Sequence, residues 1–204
     1  MSAAWAAVLG LALALSAAVA LDGEPLPADL RLTRWTQDLP AFHSIARAFR
    51  WGTGTEGVLI VGGLVAITLW LTRWRLEAAA LVAALVALRI MQPAIKNIVG
   101  RERPSTDLVD RRGGFSSESF PSGHMMSSFV LCAMFVAIAW RLPLPRGAQV
   151  AATAGLALVV VFNGTSSVYM GVHWPSDIVG GVLWALVIVI PAAAVVLART
   201  RTHD

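Results

Sequence analysis

His173 and Asp177, four residues apart, are the pair in this chain best placed to do chemistry. They close the stretch Ser166-Ser167-Val168-Tyr169-Met170-Gly171-Val172-His173-Trp174-Pro175-Ser176-Asp177, which lies between two long apolar runs. Pro175 suits the first turn of a helix, because its φ is fixed and it has no backbone N–H to lose. Asp177 then falls in the same turn, where the helix dipole favours a carboxylate. From there it reaches back to His173. A histidine held by a carboxylate has one ring nitrogen fixed as a donor and the other free to attack or to take a proton. Alone, H-x-x-x-D is more simply a polar cap on a membrane helix, so its weight rests on the company it keeps.

That company is cationic and anion-binding. Lys96 and Arg103 are seven residues apart, so a continuing helix would set them on one face, two turns apart. Arginine offers a planar fork to phosphate oxygens and lysine a compact point charge. Pro121-Ser122-Gly123-His124 opens another apolar run. Ser122 can cap a helix there, Gly123 removes the side chain that would block close approach, and the exposed N–H groups with the helix dipole make an anion site. His124 would sit beside whatever anion binds. Read singly, these are a headgroup contact and a capped helix start.

The elements that must position these residues are membrane helices. The chain has 204 residues, 57% hydrophobic and 14% charged, against about 45–50% and 25% in soluble domains. Apolar runs at about 3–21, 55–72, 76–95, 122–140, 148–165 and 177–198 each approach the roughly 20 residues that cross a bilayer. The expectation is an all-α protein: one membrane-embedded domain over 1–204 with a motif-bearing core at about 55–198, built as a six-transmembrane-helix bundle. Ala18-Val19-Ala20 resembles a signal-peptide cleavage site, but the residues before it carry no Lys or Arg, which favours an uncleaved helix. Between helices 1 and 2, Phe42, Ile45, Ala46 and Phe49 recur at helical spacing, with His43, Arg47 and Arg50 opposite. That pattern predicts an amphipathic helix in the membrane interface, with His43 facing solvent or headgroups.

The short turns Thr72-Arg73-Trp74-Arg75 and Arg141–Arg146, with Arg199 and Arg201, fall on one face of a six-helix topology. The positive-inside rule places that face in the cytoplasm, although the longer loops opposite hold more Lys and Arg in total. Arg89, inside the third run, is either functional or snorkelling to the interface. Cys132 is the single cysteine, which excludes disulfide frameworks and Cys-based metal sites. No basic run with interleaved aromatics suggests nucleic acid. The segment 105–119 is long and aperiodic, as functional loops often are.

In this topology the three polar stretches meet on one side of the membrane. Two cations, an anion nest, two histidines and an aspartate suit phosphoryl transfer. No nucleoside triphosphate motif is present, and no carboxylate cluster for Mg²⁺. The chain here resembles the type 2 phosphatidic acid phosphatase superfamily, integral-membrane lipid phosphatases related to vanadium haloperoxidases. That family's pattern is K-x6-R-P, then P-S-G-H, then S-R-x5-H-x3-D. This chain has Lys96…Arg103-Pro104, Pro121-Ser122-Gly123-His124 and Ser166-Ser167…His173…Asp177.

The resemblance implies a lipid phosphatase that needs no metal or other cofactor. His173 would be the nucleophile that forms a phosphohistidine, Asp177 its orienting partner and His124 the acid for the leaving oxygen. Lys96, Arg103, Ser122 and the Gly123 backbone would hold the phosphoryl oxygens. The partners implied are the bilayer and a lipid phosphate or pyrophosphate of the phosphatidic acid, phosphatidylglycerophosphate or polyprenyl type. The site would face the periplasm or exterior of a bacterial plasma membrane. One position departs from the pattern: Ser167 stands at the phosphate-binding position where the family has Arg. Arg101, Arg111, Arg112 or Arg89 is then the candidate source of the missing charge. Two other readings stay open, a lipid-phosphate-binding member without turnover and a lipid phosphotransferase.

Overall fold

In a computed structural model, the described residues are 2–40, 43–44, 46–47, 54–113 and 117–198. Among them all regular structure is helical: α1 (Ala3–Asp22), α2 (Asp29–Gln37), α3 (Thr55–Leu71), α4 (Arg75–Val99), α5 (Gly123–Arg141), α6 (Arg146–Tyr169) and α7 (Pro175–Ala198).

The apolar runs became helices because a chain in lipid must satisfy its backbone internally. Five helices, α1, α4, α5, α6 and α7, are long and apolar enough to cross a membrane. The sixth expected crossing, α3, is apolar but has 17 residues, about 25 Å at 1.5 Å per residue.

Two boundaries differ from expectation. α4 outruns the apolar stretch at about 76–95: it carries Pro93 within it, runs on to Val99 and stops at Gly100 with φ +63°. Lys96 is therefore helical, while Arg103 lies in the extended chain beyond and does not share a helix face with it. The polar segment after α1 also contains α2, whose first-turn carboxylate, Asp29, is buried. Of the predicted interfacial helix, Phe42, Ile45, Phe49 and Arg50 lie outside the described residues. Ala46 is fully buried against Tyr169, Met170 and Val172, and Arg47 lies 3.0 Å from the His43 ring.

α5 is the axis of the bundle, packed on α3, α4, α6 and α7. Its Met126, Val130 and Met134 are fully buried, together with Leu81 and Leu88 of α4 and Ala185 of α7. α1 lies along α7, joined by two indole bonds: Trp5 Nε1 donates to the Val187 carbonyl at 2.9 Å and Trp184 Nε1 to Ser16 Oγ at 3.1 Å. Ile60, Leu64, Ile67, Val86, Ile90, Leu158 and Val161 point outward, as expected of a bundle whose solvent is hydrocarbon. α2 packs on α6 and α7 at the end where the α4–α5 and α6–α7 connections lie.

Candidate active site

α6 ends at Tyr169, and the chain turns through Gly171 (φ +62°) into Val172-His173-Trp174 before Pro175 starts α7. A side chain at 171 would be strained and would meet the Asp110 carbonyl at 2.6 Å and Arg111 Cα at 3.1 Å. The turn is thus built to lie against the 104–113 segment.

His173 is 1% exposed. Its Nδ1 lies 3.5 Å from Asp177 Oδ2, one helical turn on. The carboxylate is itself pinned. Oδ2 accepts from the Trp174 N–H at 2.8 Å and from the Ser119 hydroxyl, and Oδ1 accepts from Arg101 Nη1 at 2.6 Å. On the other side of the ring, Nε2 lies 3.4 Å from Arg103 Nη1. Burial pushes the His173 pKa down to about 4, aided by the Arg103 and Lys96 charges and only partly opposed by Asp177. At neutral pH the imidazole is therefore uncharged and keeps a lone pair.

Arg103 is held by backbone. Nη1 donates to the Val172 carbonyl at 2.6 Å and Nε to the Ser117 carbonyl at 2.7 Å. Lys96 Nζ donates to the Glu118 carbonyl, to which Arg103 Nη2 also points at 3.4 Å. Both expected cations thus meet on one strip of chain, although they do not share a helix.

The start of α5 joins the same centre. Ser122 caps the helix, its Oγ accepting from the Met125 N–H at 3.4 Å, and its own N–H donates to the Asp177 carbonyl at 3.0 Å. A Cβ at Gly123 would lie 2.2 Å from Gln92 Nε2 and 3.9 Å from Lys96 Cε, so a side chain here would have to push the Gln92 amide aside. His124 follows, half-buried, its ring beside Gly54 at the start of α3. Its carbonyl accepts from Asn163 Nδ2 at 2.9 Å. Ser167 is fully buried in α6 and donates to the Asn163 carbonyl at 2.9 Å.

Behind the histidine lies a network that the motifs do not announce. Arg101 bridges two carboxylates, Asp177 at 2.6 Å and Asp29 at 2.9 Å, all three groups being buried. Asp29 also accepts from the Ser176 N–H at 2.9 Å and the Ser176 hydroxyl at 2.6 Å. α2 is thereby tied to the first turn of α7 across 147 residues of sequence. The local signal for Asp29 was its place just after Pro27-Ala28, where a helix can start; nothing local marked its partners. Ser119 lay in a segment without periodicity. Among the described residues no group of three His, Cys, Asp or Glu could hold a metal ion.

The sequence model of the PAP2 superfamily matches residues 74–201, a span that contains Lys96, Arg103, Ser122, Gly123, His124, His173 and Asp177. The chain belongs to the PAP2 superfamily, and its apolar helices make it an integral membrane protein. Among solved structures it is similar to the first transmembrane PAP2 type phosphatidylglycerolphosphate phosphatase from Bacillus subtilis, with TM-score 0.79 and 19% identity over 98% of each chain. It is also similar to Aquifex aeolicus LpxE, with TM-score 0.66 and 21% identity over 82% of this chain and 95% of that one. At these identities the likeness is one of fold. No curated protein matches by sequence.

Proposed function

We propose that the chain is a metal-independent lipid phosphatase working through a phosphohistidine. The observation that carries this reading is the two-sided hold on His173: Nδ1 faces a pinned carboxylate while the lone pair of Nε2 faces a guanidinium. Nε2 attacks phosphorus and the bond to the lipid oxygen breaks. His124 gives that oxygen its proton, and water then cleaves the P–N bond. Asp177 stabilises the cationic ring as it forms. Lys96, Arg103, the Ser122 hydroxyl and the Gly123 N–H meet the charge on the phosphoryl oxygens.

The substrate class is a phospholipid or polyprenyl mono- or diphosphate, and a panel of such lipids assayed for phosphate release tests the reading. Activity is expected to persist in EDTA, because lysine, arginine and a helix N-terminus supply the positive charge. Loss of activity on chelation, restored by Mg²⁺, would reject it.

The pH profile gives a second check. Above about 4 His173 is neutral and nucleophilic; below, it is protonated and inert. The acid limb of kcat/KM should therefore lie near 4. A limb near 6.5 would show an ordinary solvated histidine. Unfolding returns His173 to its ordinary value of 6.5, so the unfolded chain binds more protons between the two values. This residue's contribution to native stability is thus complete above about 6.5 and is lost as pH falls towards 4.

We further read the bundle as six crossings, with α3 the short one, an interfacial helix before it, and the site facing the periplasm or exterior. The end away from the site carries Arg75 over Trp70, Arg141 over Trp74 and Arg146 over Trp140, at 4.4–5.8 Å. Basic residues paired with tryptophans suit a cytoplasmic membrane interface.

A further inference from the structure

The position that carries Arg in the family is Ser167 here, a buried hydroxyl that brings no charge. Four arginines are available to replace it, and the structure separates them. Arg101 is committed to two buried carboxylates. Arg112 lies over the Tyr169 ring, 4.3 Å from its centroid, and pairs with Asp110 at 2.8 Å. Arg89 is exposed on the outer face of α4, within the bundle's apolar zone. Arg111 remains. It lines a polar cavity of about 390 Å³ with Arg103, Ser105 and Ser117, and with Glu102 and Glu118. Its charge is felt by Arg103, the residue beside His173 Nε2.

The backbone that carries Arg111 is held in place. Gln37 of α2 clamps Asp110 at both ends of its peptide, donating to the carbonyl at 2.6 Å and accepting from the N–H at 3.2 Å. The Arg112 N–H donates to the Met170 carbonyl at 2.9 Å. Arg111 Cα consequently sits against Gly171, two residues before the nucleophile.

We propose that Arg111 is the second guanidinium of the phosphate site, supplying from the 104–113 segment the charge that Ser167 does not bring from α6. The assignment rests on the phosphatase reading above. On binding, the exposed Arg111 side chain turns onto the phosphoryl oxygens beside Arg103. Two cations side by side are a cost without a ligand and an advantage with a dianion between them.

Orthovanadate, a phosphate mimic, is the probe, titrated into the full chain in detergent, with phosphate release from a lipid phosphate measured in parallel. Arg111→Ala should weaken vanadate binding about tenfold or more, the size of one lost charge-assisted contact. Arg111→Lys should recover part of it, and Arg89→Ala should leave it unchanged. Because Arg111 is exposed, neither variant at 111 disturbs the core. Wild-type affinity and turnover in Arg111→Ala, or a loss confined to Arg112→Ala, overturns the assignment while leaving the phosphatase reading intact. A wild-type protein that neither binds vanadate nor releases phosphate overturns both.

Discussion

His173→Ala is expected to end phosphate release, with a loss on the order of 10⁴-fold or more, as when other enzymes lose their nucleophile. The physical reason is the arrangement around the ring. Arg103 lies beside Nε2 and shares the Glu118 carbonyl with Lys96, but both are cations at neutral pH and neither can attack phosphorus. Asp177 has both oxygens engaged by Arg101, Ser119 and Trp174. A phosphoenzyme trapped by rapid acid quench in wild type should be missing from the variant, while vanadate binding should survive in part because the cations remain. His173→Gln keeps more of the side-chain volume and should be equally inactive, which separates lost chemistry from lost packing. Turnover at the wild-type rate in either variant would refute a phosphohistidine on this residue.

Arg101→Ala should be the most destabilising single change around the site. It leaves Asp29 and Asp177 buried without their shared counter-charge, and breaking a buried pair from one side costs about 3–5 kcal/mol. Thermal unfolding in detergent should show a large drop. Asp29→Asn should cost less, because the amide still accepts from Ser176 while Arg101 keeps Asp177. The double variant Arg101→Ala, Asp29→Asn should be less destabilised than the sum of the two singles, since one orphaned charge is then gone. Activity should fall with Arg101→Ala even where the protein stays folded, because Asp177 loses the contact that fixes its Oδ1. Strict additivity, or an Arg101→Ala variant as stable as wild type, would mean that the bridge is not formed.

What could be read from residues alone was whatever repeats at short range. Apolar runs mark the crossings because every turn of a helix in lipid must be apolar. His173 and Asp177 are one helical turn apart, so their meeting is a local event. Ser122-Gly123-His124 was legible for the same reason, as a helix start. The expectation that Lys96 and Arg103 share a helix face failed at Gly100, whose left-handed φ stops α4 before Arg103. They meet all the same, at the carbonyl of Glu118, which no spacing rule describes. The apolar run at about 76–95 understates α4, which carries Pro93 within it and runs on to Val99. Asp29, Ser119 and Ser176 were invisible as site residues because their partners are far away in sequence and each alone is an ordinary polar residue.

The bridge from Asp29 also sets limits on how such a chain can diverge. The span recognised by the family begins at residue 74, yet a carboxylate at 29 answers the same arginine that steadies Asp177, the partner of His173. The motif-bearing stretch is therefore a signature rather than a self-sufficient unit. At positions 29, 101 and 176 a single apolar replacement strands a charge or a hydroxyl in a buried place. The leading segment delivers that carboxylate to the first turn of α7. Grafting the 74–201 core onto a foreign leading segment amounts to supplying that acid anew.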